Sequence, residues 1–419
     1  MVYVISKDGK PLMPTNRHGK VRHLLKDGKA KVISNNPFTI KLLYDTTEYV
    51  QDLTLGVDTG SGTFATAVTT TNNEVVYMSQ VDVRNDITDR MTQRASYRRT
   101  RRNRKTRYRK PRFNNRKNST KSDRFSPTML SKLHSHVKEV EFIKSILPIK
   151  TLVFETATFD THLMKNPMLA NENIRHWGYQ RGANYGFENT KAKVRFRDNY
   201  TCQYCKTKNK NVTLEVHHII FRSNGGSDDE NNLITLCHNC HKDLHTGKIN
   251  PKFTGKIKSN LKYATQMNSI RIQLLKQYPN AIETFGYITK LNRENMNLPK
   301  EHYFDAVAIA SGGNAVKFLT NVVYFKKSVS EGDYQQTFGK HSQKRMTTRK
   351  IFGFNKYDKV LYKNNIYFIK GRMARGYAVL MNIFGETQKF TNPKCPKFVN
   401  MKRLSARKSV ISQPITINC

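Results

Sequence analysis

Apolar positions along this chain recur with two periods, and the switches between them mark its elements. Val2 to Ile5 reads as a strand, His18 to Asp27 as a helix and Ala30 to Ser34 as a second strand. Leu53, Leu55 and Val57 alternate with Thr54, Gly56 and Asp58, which predicts a strand with Asp58 at its end on the face opposite the leucines, beside Gly60 and Gly62. Strands over Ala65–Thr70 and Val75–Val81 follow. From Pro127 the period becomes helical, with Leu130, Leu133, Val137, Val140 and Ile143 as a core stripe. Lys150–Asp160 returns to strand, with Leu152 and Phe154 facing one way and Glu155 the other. A glutamate there is costly unless a metal or cation neutralises it. A helix is predicted over Lys258–Tyr278, a strand over Ile282–Thr289, and a helix over Glu301–Ala310 on which His302 and Asp305 share a face. Near the end, Asp358–Tyr362, Ile366–Ile369 and Tyr377–Ile383 are β-prone and interleaved with basic residues, which predicts a small twisted barrel.

Chemistry concentrates in Leu214–His245. Cys202-x-x-Cys205 and Cys237-x-x-Cys240 frame it with the spacing of a closed tetrahedral Zn²⁺ site. Between them, His217 and His218 are neighbours on a short strand, so their side chains point to opposite sides and cannot share a role: one is suited to a metal, the other to water. Asn232 opens the apolar run Leu233–Leu236 and can pin the loop that carries His218. His241, on a helix after Cys240, can face back to His217. A non-catalytic zinc-ribbon module would account for the cysteines but not for His217, His218 and Asn232.

Charge then narrows the partners. The 419 residues carry a formal +42, with only 37% hydrophobic residues, enough for two to four domains but self-repelling unless a polyanion neutralises them. A nucleic acid is the leading expectation. The most basic stretch, Arg84–Lys117, has no acidic residue from Met91 onward. Arg94, Arg98, Arg101, Arg102, Lys105 and Arg109 follow helical spacing and, with Arg99, predict an arginine rail matched to a phosphate backbone. No apolar run is long enough to span a bilayer, the start is not a signal peptide, and Cys395 and Cys419 have no obvious partner, a pattern suited to a reducing interior.

Leu214–His245 resembles the HNH nuclease motif of the ββα-metal fold. That resemblance implies His218 as general base, His217 and His241 as ligands of one divalent cation, and Asn232 as a structural residue. Pro11-Leu12-Met13-Pro14 followed by a basic helix resembles the opening domain of the IscB family, transposon-encoded relatives of type II CRISPR effector nucleases. Leu53–Gly62, Lys150–Asp160 and Glu301–Ala310 resemble the three RuvC motifs of an RNase H-like core, and Arg84–Lys117 resembles the arginine-rich bridge helix that grips guide RNA. By this resemblance Asp58, Glu155 and Asp305 converge as a two-metal site with His302 beside it. The first motif reads Asp58-Thr59-Gly60 where relatives often have Asp-Pro-Gly, and no sizeable guide-recognition lobe follows the bridge helix.

The resemblance thus implies an α/β multidomain chain: a split RuvC/RNase H-like mixed sheet, an inserted ββα-metal HNH domain with structural zinc, an arginine-rich bridge helix and a C-terminal small β-barrel. The expected segments are 1–52 (N-terminal PLMP domain), 53–83, 118–190 and 251–321 (RuvC-like), 84–117 (bridge helix), 191–250 (HNH) and 322–419 (contacts to RNA and target-adjacent motif). The implied function is an RNA-guided DNA endonuclease, the HNH site cutting the guide-paired strand and the RuvC site the displaced strand. It would use Mg²⁺ or Mn²⁺ at both sites, a structural Zn²⁺, an omega-type guide RNA and a double-stranded DNA target. The protein is expected as a monomer within the ribonucleoprotein, in prokaryotic cytoplasm, nucleoid-associated when acting. A guide-independent HNH/RuvC nuclease and a non-catalytic zinc-containing RNA-binding protein are the alternatives.

Overall fold

The computed structural model describes residues 1–104, 125–165, 167–171, 184–209, 211–221, 224, 226–251, 253, 261–330, 350–391 and 393–417. The chain divides into two compact units, one formed by residues 1–157 and 266–419, the other by the intervening Thr158–Thr265.

The first unit is organised on a mixed eight-stranded sheet. Its centre is three antiparallel strands, β4 (Leu53–Asp58), β5 (Thr63–Thr70) and β6 (Glu74–Asp82). β7 (Ile149–Thr156) runs parallel to β4, and β10 (Ile282–Phe285) parallel to β7. Period-two alternation gives the sheet two chemically distinct faces. Leu53, Leu55, Val57, Leu152 and Phe154 bury one face with Val140 and Ile143 of α3 (Pro127–Ile146) and Ile270 and Leu274 of α7 (Lys262–Gln277). Pro127 starts α3 and Ser126 caps it, accepting from the Met129 N–H. Its buried face keeps the expected stripe at Leu133, Val137, Val140 and Ile143 but leaves Leu130 exposed and adds the buried Lys132, His136 and Glu139.

The opposite face is built of small residues. Ala65 and Ala67 lie across from Asp58 and Gly56 in register, and they pack on Ala306 and Val307 of α9 (His302–Ser311). A Cβ on Gly56 would stand 2.5 Å from the Ala306 carbonyl oxygen and the Ala310 nitrogen, so only glycine lets α9 lie this close to β4. The expected strand over Ile282–Thr289 stops at Phe285, because Gly286 opens α8 (Gly286–Asn295).

A three-stranded sheet, β1 (Tyr3–Ile5), β3 (Phe38–Leu42) and β2 (Ala30–Asn35) in that order, carries α1 (His18–Lys26). It joins the large sheet through Tyr3, whose hydroxyl donates to the Val76 carbonyl at 3.1 Å. α2 (Ile87–Arg104) follows β6 directly; Arg94, Arg98 and Arg99 are exposed on it, Arg101 and Arg102 lie in its last turn, and Lys105 and Arg109 fall outside the described residues.

The segment after residue 322 is shared between two sheets. β12 (Val322–Ser328) lies parallel to β6 in the large sheet after the short β11 (Lys317–Phe318), and β17 (Val410–Thr416) closes that sheet's edge. β12 is fixed there by a buried ion pair: Lys326 Nζ stands 2.7 and 2.9 Å from the two Glu139 carboxylate oxygens and 2.8 Å from the Tyr77 hydroxyl. The remaining strands, β13 (Lys359–Tyr362), β14 (Asn365–Arg372), β15 (Ala378–Met381) and β16 (Lys402–Ser405), form an open antiparallel sheet in the order β15-β14-β13-β16. The expected barrel is not closed among the described residues: β15 and β16 do not pair with each other, and the last strand joins the large sheet instead.

The second unit holds α4 (Thr161–Lys165), α5 (Thr190–Arg197), the hairpin of β8 (Leu214–His218) and β9 (Leu233–Cys237), and α6 (His238–His245). The glycine-containing connector Trp177–Gly182 lies outside the described residues. No helix among the described residues is long and apolar enough to cross a membrane.

Candidate functional site

Among the described residues three groups of side chains that could hold a metal ion converge, two in the second unit and one in the first. In the second unit, β8 alternates so that Glu215 and His217 share one side and His218 takes the other. α6 supplies His241 and His245, four apart and therefore on one helix face. The donor nitrogens of His217, His241 and His245 lie within 4.8 Å of one another, and the Nε2 atoms of His241 and His245 face each other at 3.3 Å. Two imidazoles about 2.0–2.1 Å from one tetrahedral ion would have their nitrogens about 3.3 Å apart. Glu215 accepts from His241 Nδ1 at 2.6 Å and from His238 Nδ1 at 2.8 Å, which leaves His241 Nε2 free to bind a metal. Burial, then the neighbouring His241 and His245, push His217 down to about 4, so it is a neutral ligand at ordinary pH.

His218 is turned away from that trio and is partly exposed; its Nε2 lies 2.7 Å from Asp228 Oδ1. Donation to this carboxylate places the ring proton on Nε2 and leaves the Nδ1 lone pair free. Asn232 is fully buried and clamps the loop behind His218: its Oδ1 accepts from Ile220 N at 2.9 Å, and its Nδ2 donates to the carbonyls of Ile220 at 3.0 Å and Ser227 at 2.9 Å. His218 and Asn232 are thus joined through the backbone, while His217 and His241 meet at the other side of the hairpin. His245, Glu215 and Asp228 were not singled out by sequence reasoning. The four-residue spacing of His241 and His245, and Glu215 two before His217, were the available signals.

One end of β9 and the loop after α5 bring together Cys202, Cys205, Cys237 and Cys240, all free thiols, with their sulfurs within 4.8 Å of one another. Cys205 and Cys237 Sγ are 3.7 Å apart, close to the ~3.8 Å edge of a tetrahedron with 2.3 Å Zn–S bonds. Burial, then hydrogen bonding to Cys237 and Cys205 and the neighbouring Cys202 charge, holds Cys240 far above its ordinary thiol range, while backbone N–H donors outweigh burial and pull Cys202 down to about 7. Four thiols in this arrangement cannot all ionise without a cation, which is what a structural zinc supplies.

In the first unit, Asp58 and Glu155 end two adjacent parallel strands and are register partners. Thr59 donates its hydroxyl to the Glu155 carbonyl at 2.6 Å and ties the two strand ends together. The first turn of α9 brings His302 and Asp305 over them: His302 Nδ1 is 2.7 Å from Asp58 Oδ2, and the donor atoms of Asp58, His302 and Asp305 lie within 4.8 Å. The Glu155 carboxylate stands outside that group, against Gly286 at the start of α8. Burial raises Asp58 despite the pull of His302, and burial followed by the Asp58 charge lifts Glu155 to about 6. Hydrogen bonding to Asp58 raises His302. Asp305 is met by two cations, Arg293 at 2.9 Å and Lys300 at 2.5 Å, neither singled out from sequence. Carboxylates raised by burial and mutual repulsion in this way are short of positive charge, and their hard oxygen donors suit Mg²⁺ or Mn²⁺. The imidazole trio, all nitrogen, suits a divalent transition ion better than Mg²⁺.

Residues 2–182 match the family described as RRXRR protein, and residues 202–247 match HNH endonuclease. The chain is 53% identical over 38 residues to the type IV methyl-directed restriction enzyme EcoKMcrA of Escherichia coli, spanning 9% of this chain and 14% of that protein. It is 37% identical over 65 residues to anaredoxin of a Nostoc species, spanning 15% of this chain and 83% of that protein. The histidine–asparagine hairpin therefore lies inside a recognised HNH domain, and the arginine-bearing α2 lies inside the RRXRR region. The chain thus carries an HNH endonuclease domain together with an RRXRR region, the combination that is characteristic of IscB-type HNH nucleases.

Proposed function

We propose that the protein is an RNA-guided DNA endonuclease with two active sites, in which base pairing reads the target and the chain supplies the chemistry. The observation that carries this reading is the coexistence in one chain of an HNH domain, an arginine helix within an RRXRR region and a second acidic cluster at the ends of adjacent parallel strands.

At the HNH site, His218 Nδ1 takes the proton from the attacking water, Asp228 holds the ring in the tautomer that makes this possible, and Asn232 fixes the loop. His217, His241 and His245 would hold one divalent cation, which supplies charge stabilisation to the scissile phosphate. Glu215 orients His241. In the sheet unit, Asp58, Glu155 and Asp305 form an RNase H-like, RuvC-type centre for one or two Mg²⁺ or Mn²⁺ ions, with His302 placed to move a proton beside Asp58. Arg94, Arg98, Arg99, Arg101 and Arg102 of α2, with Lys105 and Arg109 beyond it, contact guide RNA. The HNH site cuts the guide-paired strand and the sheet site the displaced one.

Sequencing the nucleic acid that copurifies with the full chain tests the guided reading. A discrete structured RNA, lost steeply as salt rises, is expected from the net charge of +42. Protein that is free of nucleic acid and still cuts DNA would establish a guide-independent nuclease instead.

A further inference from the structure

The two oxygens of Asp305 are held by cations of opposite character. Oδ1 faces Arg293 Nε at 2.9 Å, and that side chain is only 9% exposed and is anchored through its Nη1 to the Leu298 carbonyl at 2.9 Å. Oδ2 faces Lys300 Nζ at 2.5 Å, and Lys300 is 70% exposed, reaching in from solvent to a carboxylate that is 4% exposed. Pro299 precedes Lys300 and α9 begins two residues after it, so the backbone is fixed while the long side chain remains exchangeable. The same ammonium bears electrostatically on Asp58, Glu155 and His302. A divalent ion shared by Asp58 and Asp305 needs an Asp305 oxygen, and the buried Arg293 cannot leave without stranding a charge. Lys300 can withdraw into water at little cost.

We infer that Lys300 is a resident counter-cation of the Asp58–Asp305 site, displaced when a divalent ion enters, so that it sets the cation concentration at which this site fills. The inference rests on reading Asp58, Glu155 and Asp305 as a cation site. It gives the exposed lysine a role distinct from gripping phosphate: it quiets the repulsion between the Asp58 and Asp305 carboxylates until metal arrives, and it competes with that metal.

Mn²⁺ titration of the full chain, with free Mn²⁺ read by electron paramagnetic resonance, tests both levels. Asp58→Asn identifies which class of bound Mn²⁺ belongs to this site by removing it. Lys300→Met should bind that class about tenfold more tightly than wild type, and Lys300→Arg, which keeps the charge, should stay within about twofold. Unchanged or weaker Mn²⁺ binding by Lys300→Met, or an arginine variant that behaves like the methionine one, overturns the inference while leaving the site standing. An Asp58→Asn chain that retains every Mn²⁺ overturns the site itself and the inference with it.

Discussion

Single residues in this protein are tuned by the group behind them. Glu215 sits behind two histidines and Asp228 behind a third, so the two imidazole functions of the hairpin are separated by which ring nitrogen each carboxylate engages. Glu215→Gln leaves a hydrogen-bond acceptor but removes the negative charge that would strengthen His241 as a metal ligand. Its expected outcome is a loss of about 10–100-fold in Co²⁺ affinity at the imidazole trio, read from the visible absorbance of the bound ion, with the cysteine cluster unaffected. Affinity equal to wild type would show that Glu215 does not support the metal ligand. At this scale spacing singled out His217, His218, Asn232, His241 and the four cysteines, and resemblance added Asp58, Glu155, His302 and Asp305; the fold brings His217 to His241, the cysteines to one another, and Asp58 to His302 and Asp305. The supporting carboxylates and cations were not, because Glu215, Asp228, Arg293 and Lys300 look like ordinary surface charges until the fold shows what they face.

At the scale of elements, the sheet site depends on how closely α9 approaches β4. Gly56 is the contact point, and the small residues around it, Ala65, Ala67, Ala306 and Ala310, continue the same close interface. Gly56→Ala forces a methyl group against helix backbone, which cannot yield as a flexible side chain would. The expected cost is about 1–3 kcal/mol of stability, seen as a lowered unfolding temperature, with Mn²⁺ binding at Asp58 weakened because His302 and Asp305 move with the helix. A variant with wild-type stability and cation affinity would contradict this packing. Strands with clear alternation, β4 to β7, were legible from the chain. α3 was legible as a helix and Leu133, Val137, Val140 and Ile143 pack on the core as expected, but the burial of Lys132, His136 and Glu139 and the exposure of Leu130 were not legible. β12 falls within the expected C-terminal segment 322–419 but lies in the large sheet, where Lys326 is buried against Glu139, Tyr77 and Phe142.

For the molecule as a whole, the division into a sheet unit interrupted by residues 158–265 gives each candidate site its own core. The sheet site draws on residues as distant as Asp58 and Asp305, a convergence that resemblance suggested and local pattern could not have established. The expected C-terminal barrel is not closed among the described residues, because closure depends on where the last strand pairs, and β17 pairs with β12. The central claim is that the two sites are separate active centres acting on opposite strands. The most direct measurement is strand-specific labelling of a guide-matched duplex cut by the full chain with its own RNA. His218→Ala should leave a nick only in the displaced strand and Asp58→Ala a nick only in the guide-paired strand, each losing about a hundredfold or more at the affected site. A double-strand break at the wild-type rate from either variant, or nicks on the reversed strands, would contradict the account.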